Sequence, residues 1–339
     1  MSFRTQFLGS HYQHLTQLAA PAFEAQALAL FQHQARHCPP YAAYLAALGR
    51  DPAAVRRVAD IPFLPIEFFK THAVRTDPAG WEPQEVFRSS GTTLAQRSRH
   101  LVRDPALYRA NAAAIFEAAY GPLSSWTFLA LLPSYLEQGE SSLVAMVADF
   151  ARRSGQRQEA FFLRDHLGLL RALAEAKRQP GRRVLLFGVT FALLDLAAEV
   201  GAAPELQGLT VLETGGMKGR RREMIREELH EELHQVFGPA PIHSEYGMTE
   251  LLSQAYSPGA GRFYCPPQLQ VRLRDPADPF SLGEPARPDG AINVIDLANV
   301  DSCAFLETRD LARRHPDGSF EVLGRLDNSD IRGCSQLAA

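Results

Sequence analysis

The sequence predicts an α/β fold in which a largely parallel, helix-covered sheet is joined by a β-rich subdomain. Three observations carry this expectation. From Val86 to Phe237, strand-like, loop-like and helix-like segments alternate, the mark of a parallel sheet with crossover helices. After Pro241 the alternation gives way to short strand-like runs separated by turn residues. Before both lies a helical and extended N-terminal part, residues 1–85.

Each element has its own signal. Leu15, Leu18, Ala22, Ala25, Ala29 and Phe31 recur near a helical period, and Pro39-Pro40 interrupts them. IPFLPIEFFKTHAV is expected to be an extended, packed crossover. The residue before each proline is pushed out of helical geometry, and Phe63, Leu64, Ile66, Phe68 and Phe69 are too apolar for solvent. VFRSSGTT reads as a strand running into a polar loop. Asp104 and Pro105 open a helix over Ala106–Ala119. WTFLALLP is a buried strand and is followed by a helix over Ser142–Arg153. RRVLLFGV is a second buried strand, FALLDLAAEV a helix, and GLTVLET a third strand ending in GGMKG, before a charged helix over Arg221–Phe237. PIHSEYGMTE, LQVRLRD, GAINVIDL, FLETRD and SFEVLGRLD are the strands expected in the β-rich part.

Composition narrows the function. Thirty-five basic and thirty-eight acidic side chains leave a net charge of −3, which argues against a broad basic face for nucleic acid. Cys38, Cys265, Cys303 and Cys334 make neither a disulfide framework nor a zinc-ligand spacing, and they fit a reducing cytoplasm. The apolar stretch Val184–Leu194, bounded by Arg183 and Asp195, falls short of the ~18 uncharged residues of a membrane span. The N-terminus lacks the basic and apolar pattern of a signal peptide.

Five clusters can carry chemistry, and each also has a plain structural reading. Ser89, Ser90, Gly91, Thr92 and Thr93 follow a strand, where backbone N–H groups and hydroxyls can cradle a phosphate; they also suit an ordinary turn. Tyr246 can stack on a base, while Thr249 and Glu250 offer a hydroxyl and a carboxylate to phosphate and Mg²⁺; the alternative is a core tyrosine and a solvated glutamate. Thr214, Gly215 and Gly216 close a strand where α/β sheets bind ligands, or simply start the next helix. Asp310 can accept ribose hydroxyls and Arg325 can donate to ribose or phosphate, or the two can pair at the surface. Cys334, beside Arg332, is a candidate thiolate nucleophile or an incidental cysteine.

Taken in order, these clusters resemble the adenylate-forming superfamily of acyl-CoA synthetases, luciferases and peptide-synthetase adenylation domains. LPSYLEQGESSLVAMV, LLFGVTFALLDLA, ETGGMKGRRREM, EYGMTELLSQAY and GRLDNSDIRGC resemble its LuxE branch, the acyl-protein synthetases of fatty-acid reductase complexes. IPFLPIEFFK resembles both that branch and the phenylacetate-CoA ligases.

The resemblance implies the superfamily's large N-terminal domain over residues 1–325, a layered α/β unit lacking the usual small C-terminal domain, with a hinge-like tail over 326–339 carrying Cys334. It implies ATP and Mg²⁺ as cofactors. Ser89 to Thr93 match the phosphate loop, Thr214 to Gly216 the adenine and acyl pocket, and Tyr246 the adenine-stacking position. Thr249 and Glu250 match the catalytic phosphate and metal positions, Asp310 the ribose acid, Arg325 the hinge-side arginine and Cys334 the acyl acceptor. The implied reaction activates a fatty or related carboxylic acid as acyl-AMP and passes it to Cys334 as a thioester, for delivery to a LuxC-like acyl reductase. An acyl- or aryl-CoA ligase and a non-catalytic acyl- or nucleotide-binding partner remain the alternatives.

Overall fold

Two sheets organise the chain, and each gathers its own hydrophobic core. The structure is a computed structural model and describes residues 2–9, 20–89, 97–132, 140–215, 224, 226–277 and 288–326.

The N-terminal part holds helices Phe3–Gly9, Ala20–His37 and Pro39–Ala47. The proline pair that ends the second helix also begins the third, because a missing N–H costs nothing in a first helical turn. The proline-punctuated crossover contributes strand β1 (Leu64–Pro65) and one helical turn, Phe68–Thr71. Phe63, Leu64 and Phe69 are buried, as their apolar character requires. Strands β2 (Glu85–Arg88) and β3 (Arg99–Val102) pair as an antiparallel hairpin. Helix Pro105–Tyr120 is capped by Asp104, whose carboxylate accepts the Leu107 N–H at 3.1 Å.

Strands β4 (Trp126–Leu131), β5 (Arg183–Val189), β6 (Thr210–Thr214) and β7 (His243–Tyr246) run parallel in that order, and β8 (Ala255–Ser257) closes the sheet antiparallel to β7. Every residue of β4 is buried, the continuous apolar run expected of a strand covered on both faces. Helices Ser142–Ser154, His166–Lys177, Thr190–Val200 and Arg226–Phe237 lie along the crossovers. Gly188 lets the Thr190–Val200 helix pack closely, since a Cβ there would meet the Leu193 side chain at 2.6 Å.

The second sheet has the order β10 (Leu269–Arg274), β11 (Asp289–Asp296), β12 (Phe305–Arg314), β13 (Phe320–Arg325) and β9 (Arg262–Phe263), with β1 joined parallel to the start of β12. Its core is shared with the N-terminal helices: the rings of Phe31, Tyr41 and Phe63 surround Phe305 at centroid distances of 5.8, 6.4 and 6.2 Å. Burial of side chains this size contributes about 1.5–3 kcal/mol each, which ties the beginning of the chain to its end.

The α/β expectation holds, with two corrections. The HSEY core of PIHSEYGMTE is the fourth strand of the parallel sheet, outside the β-rich sheet. It carries buried Ser244 and Glu245, so its polar composition disguises a central strand. The helix His166–Lys177 and the short strands β8 and β9 were not anticipated. The charged helix is described over Arg226–Phe237, while residues 221–223 and 225 lie outside the described residues. Among the described residues, no helix is long and apolar enough to cross a membrane.

Candidate functional site: buried carboxylates where the two sheets meet

The turn after β7 is held from three sides. Asp296, at the end of β11, accepts the N–H groups of Leu252 (2.8 Å), Ser253 (3.0 Å) and Ala298 (3.1 Å) and the Ser253 hydroxyl (2.7 Å). Asn299 donates to the Glu250 carbonyl at 2.8 Å, and Asn111 on helix Pro105–Tyr120 donates to the Leu252 carbonyl at 2.8 Å. Buried donors and acceptors demand such partners, and together they fix the Tyr246–Ser253 segment against both sheets.

The third side is the β2–β3 hairpin. In a strand, residues two apart share a face, so Ser98 and His100 point the same way, and both are buried. His100 Nδ1 lies 2.8 Å from the Thr249 carbonyl. A carbonyl can only accept, so Nδ1 carries the proton. Burial pushes the imidazole down to about 4, leaving it a neutral structural donor. Ser98 is close enough to the Glu250 carboxyl to favour its ionised form. The base of the hairpin is closed by Ser89, whose N–H donates to the Ser98 carbonyl at 3.1 Å and whose hydroxyl accepts the Ser98 N–H at 3.0 Å. Ser89 is thereby fixed to Ser98, two residues before His100 and its partner Thr249.

Tyr246 and Asp310 meet across the sheets. The tyrosine hydroxyl donates to Asp310 Oδ2 at 3.0 Å, and its ring stands edge-on to Phe263 and Phe320 at 6.0 and 5.4 Å. Asp310 and Arg325 are partners in the β12–β13 register, and Arg325 Nε lies 3.5 Å from Asp310 Oδ1. The Asp310 side chain is only 16% exposed and that of Arg325 is 75% exposed, so the acid sits at the bottom of the site and the guanidinium at its mouth. Burial raises the carboxyls of Asp310 and Glu250 above their ordinary range. Arg325 opposes that rise at both, and Lys70 opposes it at Glu250.

Thr214 and Glu245 face each other on β6 and β7, the hydroxyl donating to Glu245 Oε2 at 2.6 Å. Burial, with Glu213 nearby, pushes the Glu245 carboxyl up to about 7. Gly247 leaves room for the Glu245 carboxyl, since a Cβ there would push Oε1 aside.

The expected site residues thus divide. Tyr246, Asp310 and Arg325 form one contact chain, and Glu250 and Thr249 lie beside it with Ser89 at the root of the hairpin. Thr214 and the exposed Gly215 stand at the carboxyl end of the parallel sheet. Ser90, Gly91, Thr92, Thr93, Gly216 and Cys334 lie outside the described residues. Sequence reasoning missed Ser98, His100, Glu245 and Asp296. The first two were legible as alternate residues entering a strand after the Ser/Thr/Gly loop.

Solved structures place the fold. An ATP-bound RpMatB-BxBclM chimera matches at 18% identity and a TM-score of 0.51, covering 71% of this chain and 47% of that one. A malonyl-CoA ligase complex with methylmalonyl-CoA and AMP bound matches at 22% identity and 0.51, covering 73% and 53%. ATP-bound MatB from Rhodopseudomonas palustris matches at 18% and 0.50, covering 71% and 47%. The fold is that of the N-terminal domain of adenylate-forming enzymes. The chain spans about half the length of these matched structures. No family model matches it, and no curated protein does.

Proposed function

We propose that this chain is the nucleotide- and acid-binding part of an ATP-dependent acid–thiol ligase. The observation that carries the reading is the junction of Tyr246, Asp310 and Arg325, three residues from three separate stretches of chain meeting where the two sheets adjoin, with the charge of Arg325 reaching the Glu250 carboxyl.

A carboxylate is a poor electrophile because oxide is a poor leaving group. Attack of its oxygen on the α-phosphorus of ATP gives acyl-AMP and releases pyrophosphate, and AMP then leaves readily. The protein's task is to align the reactants and to complement oxyanion charge. In this reading Asp310 accepts ribose hydroxyls, Tyr246 lines the base, Arg325 reaches ribose or phosphate, and the Ser89–Thr93 loop with Thr249 faces phosphate. Glu250 suits Mg²⁺, which takes one or two carboxylates and completes its shell with phosphate oxygens and water. Among the described residues no group of three His, Cys, Asp or Glu side chains could hold a metal ion. Bound there, Mg²⁺ would neutralise phosphate charge. Thr214 and Gly215 border the acid.

We assign residues 1–325 to this adenylation unit and residues 326–339 to the tail. Cys334 accepts the acyl group, the carboxylic acid is a fatty or related acid, and a LuxC-like reductase consumes the thioester. A second reading, transfer to CoA, is favoured by the fold likeness to a malonyl-CoA ligase.

Pyrophosphate release and intact mass, followed with ATP, Mg²⁺ and a panel of carboxylic acids, test both. The expected result is acid-dependent pyrophosphate release with a mass gain equal to one acyl group, absent in Cys334→Ser. Thioester found only on added CoA supports the second reading. An absence of acid-dependent pyrophosphate removes both.

A further inference from the structure

The helical turn Phe68–Thr71 is pinned at the edge of the site. The preceding strand β1 pairs with β12 through Leu64 and Leu306, and Pro65 and Glu307. The Ile66 N–H donates to the Glu307 carbonyl at 3.0 Å, and Glu67 pairs with Arg309. Phe69 is fully buried and meets the His100 ring edge-on at 5.6 Å. His100 in turn holds the Thr249 carbonyl. The residue after Phe69 is Lys70, exposed to solvent and near enough to Glu250 for its charge to act on that carboxyl.

Among the described residues, the neighbouring cations are already engaged. Arg88 pairs with Glu140, Arg309 with Glu67 and Arg274 with Glu307, and Arg325, on Asp310, already has its place at the nucleotide in the proposed reading. Arg97 donates to the Ser89 carbonyl. Arg99 alternates to the face of β3 opposite Ser98 and His100. Among the described residues, the Lys70 side chain makes no hydrogen bond or ion pair. A pinned backbone thus presents an unengaged, flexible, compact positive charge within electrostatic reach of the buried Glu250 carboxyl.

We propose that Lys70 is a catalytic residue whose ammonium contacts the phosphoryl oxygens of the nucleotide at Glu250. The assignment rests on the reading under Proposed function. As the substrate carboxylate oxygen bonds to the α-phosphorus, the bond from phosphorus to the bridging oxygen breaks and its electron pair leaves with pyrophosphate. Lys70 keeps its proton throughout and complements the negative charge gathering on the leaving oxygens. Its exposure in the free protein means that it is desolvated only when the anion arrives.

Calorimetric titration of wild type, Lys70→Met and Lys70→Arg with ATP and with adenosine tests this, with acid-dependent pyrophosphate release measured in parallel. The expected result for Lys70→Met is ATP affinity at least about tenfold weaker, adenosine affinity unchanged, and kcat/KM lower by about a hundredfold, the loss typical of a removed charge-stabilising donor. Lys70→Arg recovers most of the ATP affinity, and melting temperatures stay together because the side chain is exposed. Equal ATP affinity in wild type and Lys70→Met overturns the assignment to Lys70 alone. A wild-type protein that binds no ATP overturns the functional reading and the role of Lys70 with it.

Discussion

The two sheets place polar groups by different means. In the parallel sheet the interior is apolar along its length: β4 is buried throughout, β5 from Val184 onward, and polar side chains collect toward the carboxyl ends at Glu213, Thr214, Ser244 and Glu245. Topology does the positioning there, since parallel strands deliver their carboxyl ends to one edge. The antiparallel sheet threads polar groups through its interior. Arg274 donates to Glu307 and to the Thr308 carbonyl, the Thr308 hydroxyl donates to the Ile292 carbonyl, and Asp296 gathers four donors. Here individual hydrogen bonds set the geometry. The site forms where the two meet, with Tyr246 from the first sheet bonded to Asp310 of the second. One half of it should therefore fail through the loss of single bonds, and the other through changes in the charge state of buried acids.

The sharpest break of this comparison is Asp296→Ala. It strips four donors of their acceptor inside the protein, and orphaned buried groups cost about 1–3 kcal/mol each before relaxation. Denaturant unfolding is expected to show a loss of about 4 kcal/mol or more, with Tyr246–Ser253 losing hydrogen-exchange protection before β4 and β5. A variant within 1 kcal/mol of wild type, by the same scale of orphaned groups, would remove the claim that single polar bonds hold this side.

The next effect belongs to the parallel sheet. The Glu245 carboxyl, pushed up to about 7 from an ordinary value of 4.5, is favoured in its neutral form by folding. Its folded-state value lies above its unfolded one, so its contribution is complete below pH 4.5 and is lost as pH rises through 7. Glu245→Gln keeps an acceptor for Thr214 and cannot ionise. The variant is expected to be more stable than wild type at pH 8, by roughly 3 kcal/mol at most, with the gap shrinking by pH 5. Thermal melts across that range read it directly, and a gap independent of pH contradicts it.

How much of this was legible follows the same division. WTFLALLP and RRVLLFGV announce themselves as continuous apolar runs, and Asp104 with Pro105 announces a helix start that the structure places one residue earlier. HSEY does not, because its two middle residues are polar and only the neighbouring strands bury them. Tyr246, Asp310 and Arg325 were legible as residue types in a known order, and their meeting was not, since 64 positions separate Tyr246 from Asp310. Asp296 gave no local sign: its donors come from residues more than 40 positions away as well as from Ala298. Lys70 sat within the crossover as one charge among phenylalanines, and only the docking of Phe69 on His100 shows which site it borders.

The most direct test of the central claim is a crystal structure of the protein with ATP bound. The account predicts the ribose hydroxyls within hydrogen-bond distance of Asp310, the base against Tyr246, and the phosphates running toward Glu250 and Ser89, with Arg325 turned from Asp310 to the nucleotide. A nucleotide seated elsewhere, with the Tyr246–Asp310 bond facing empty solvent, would contradict it.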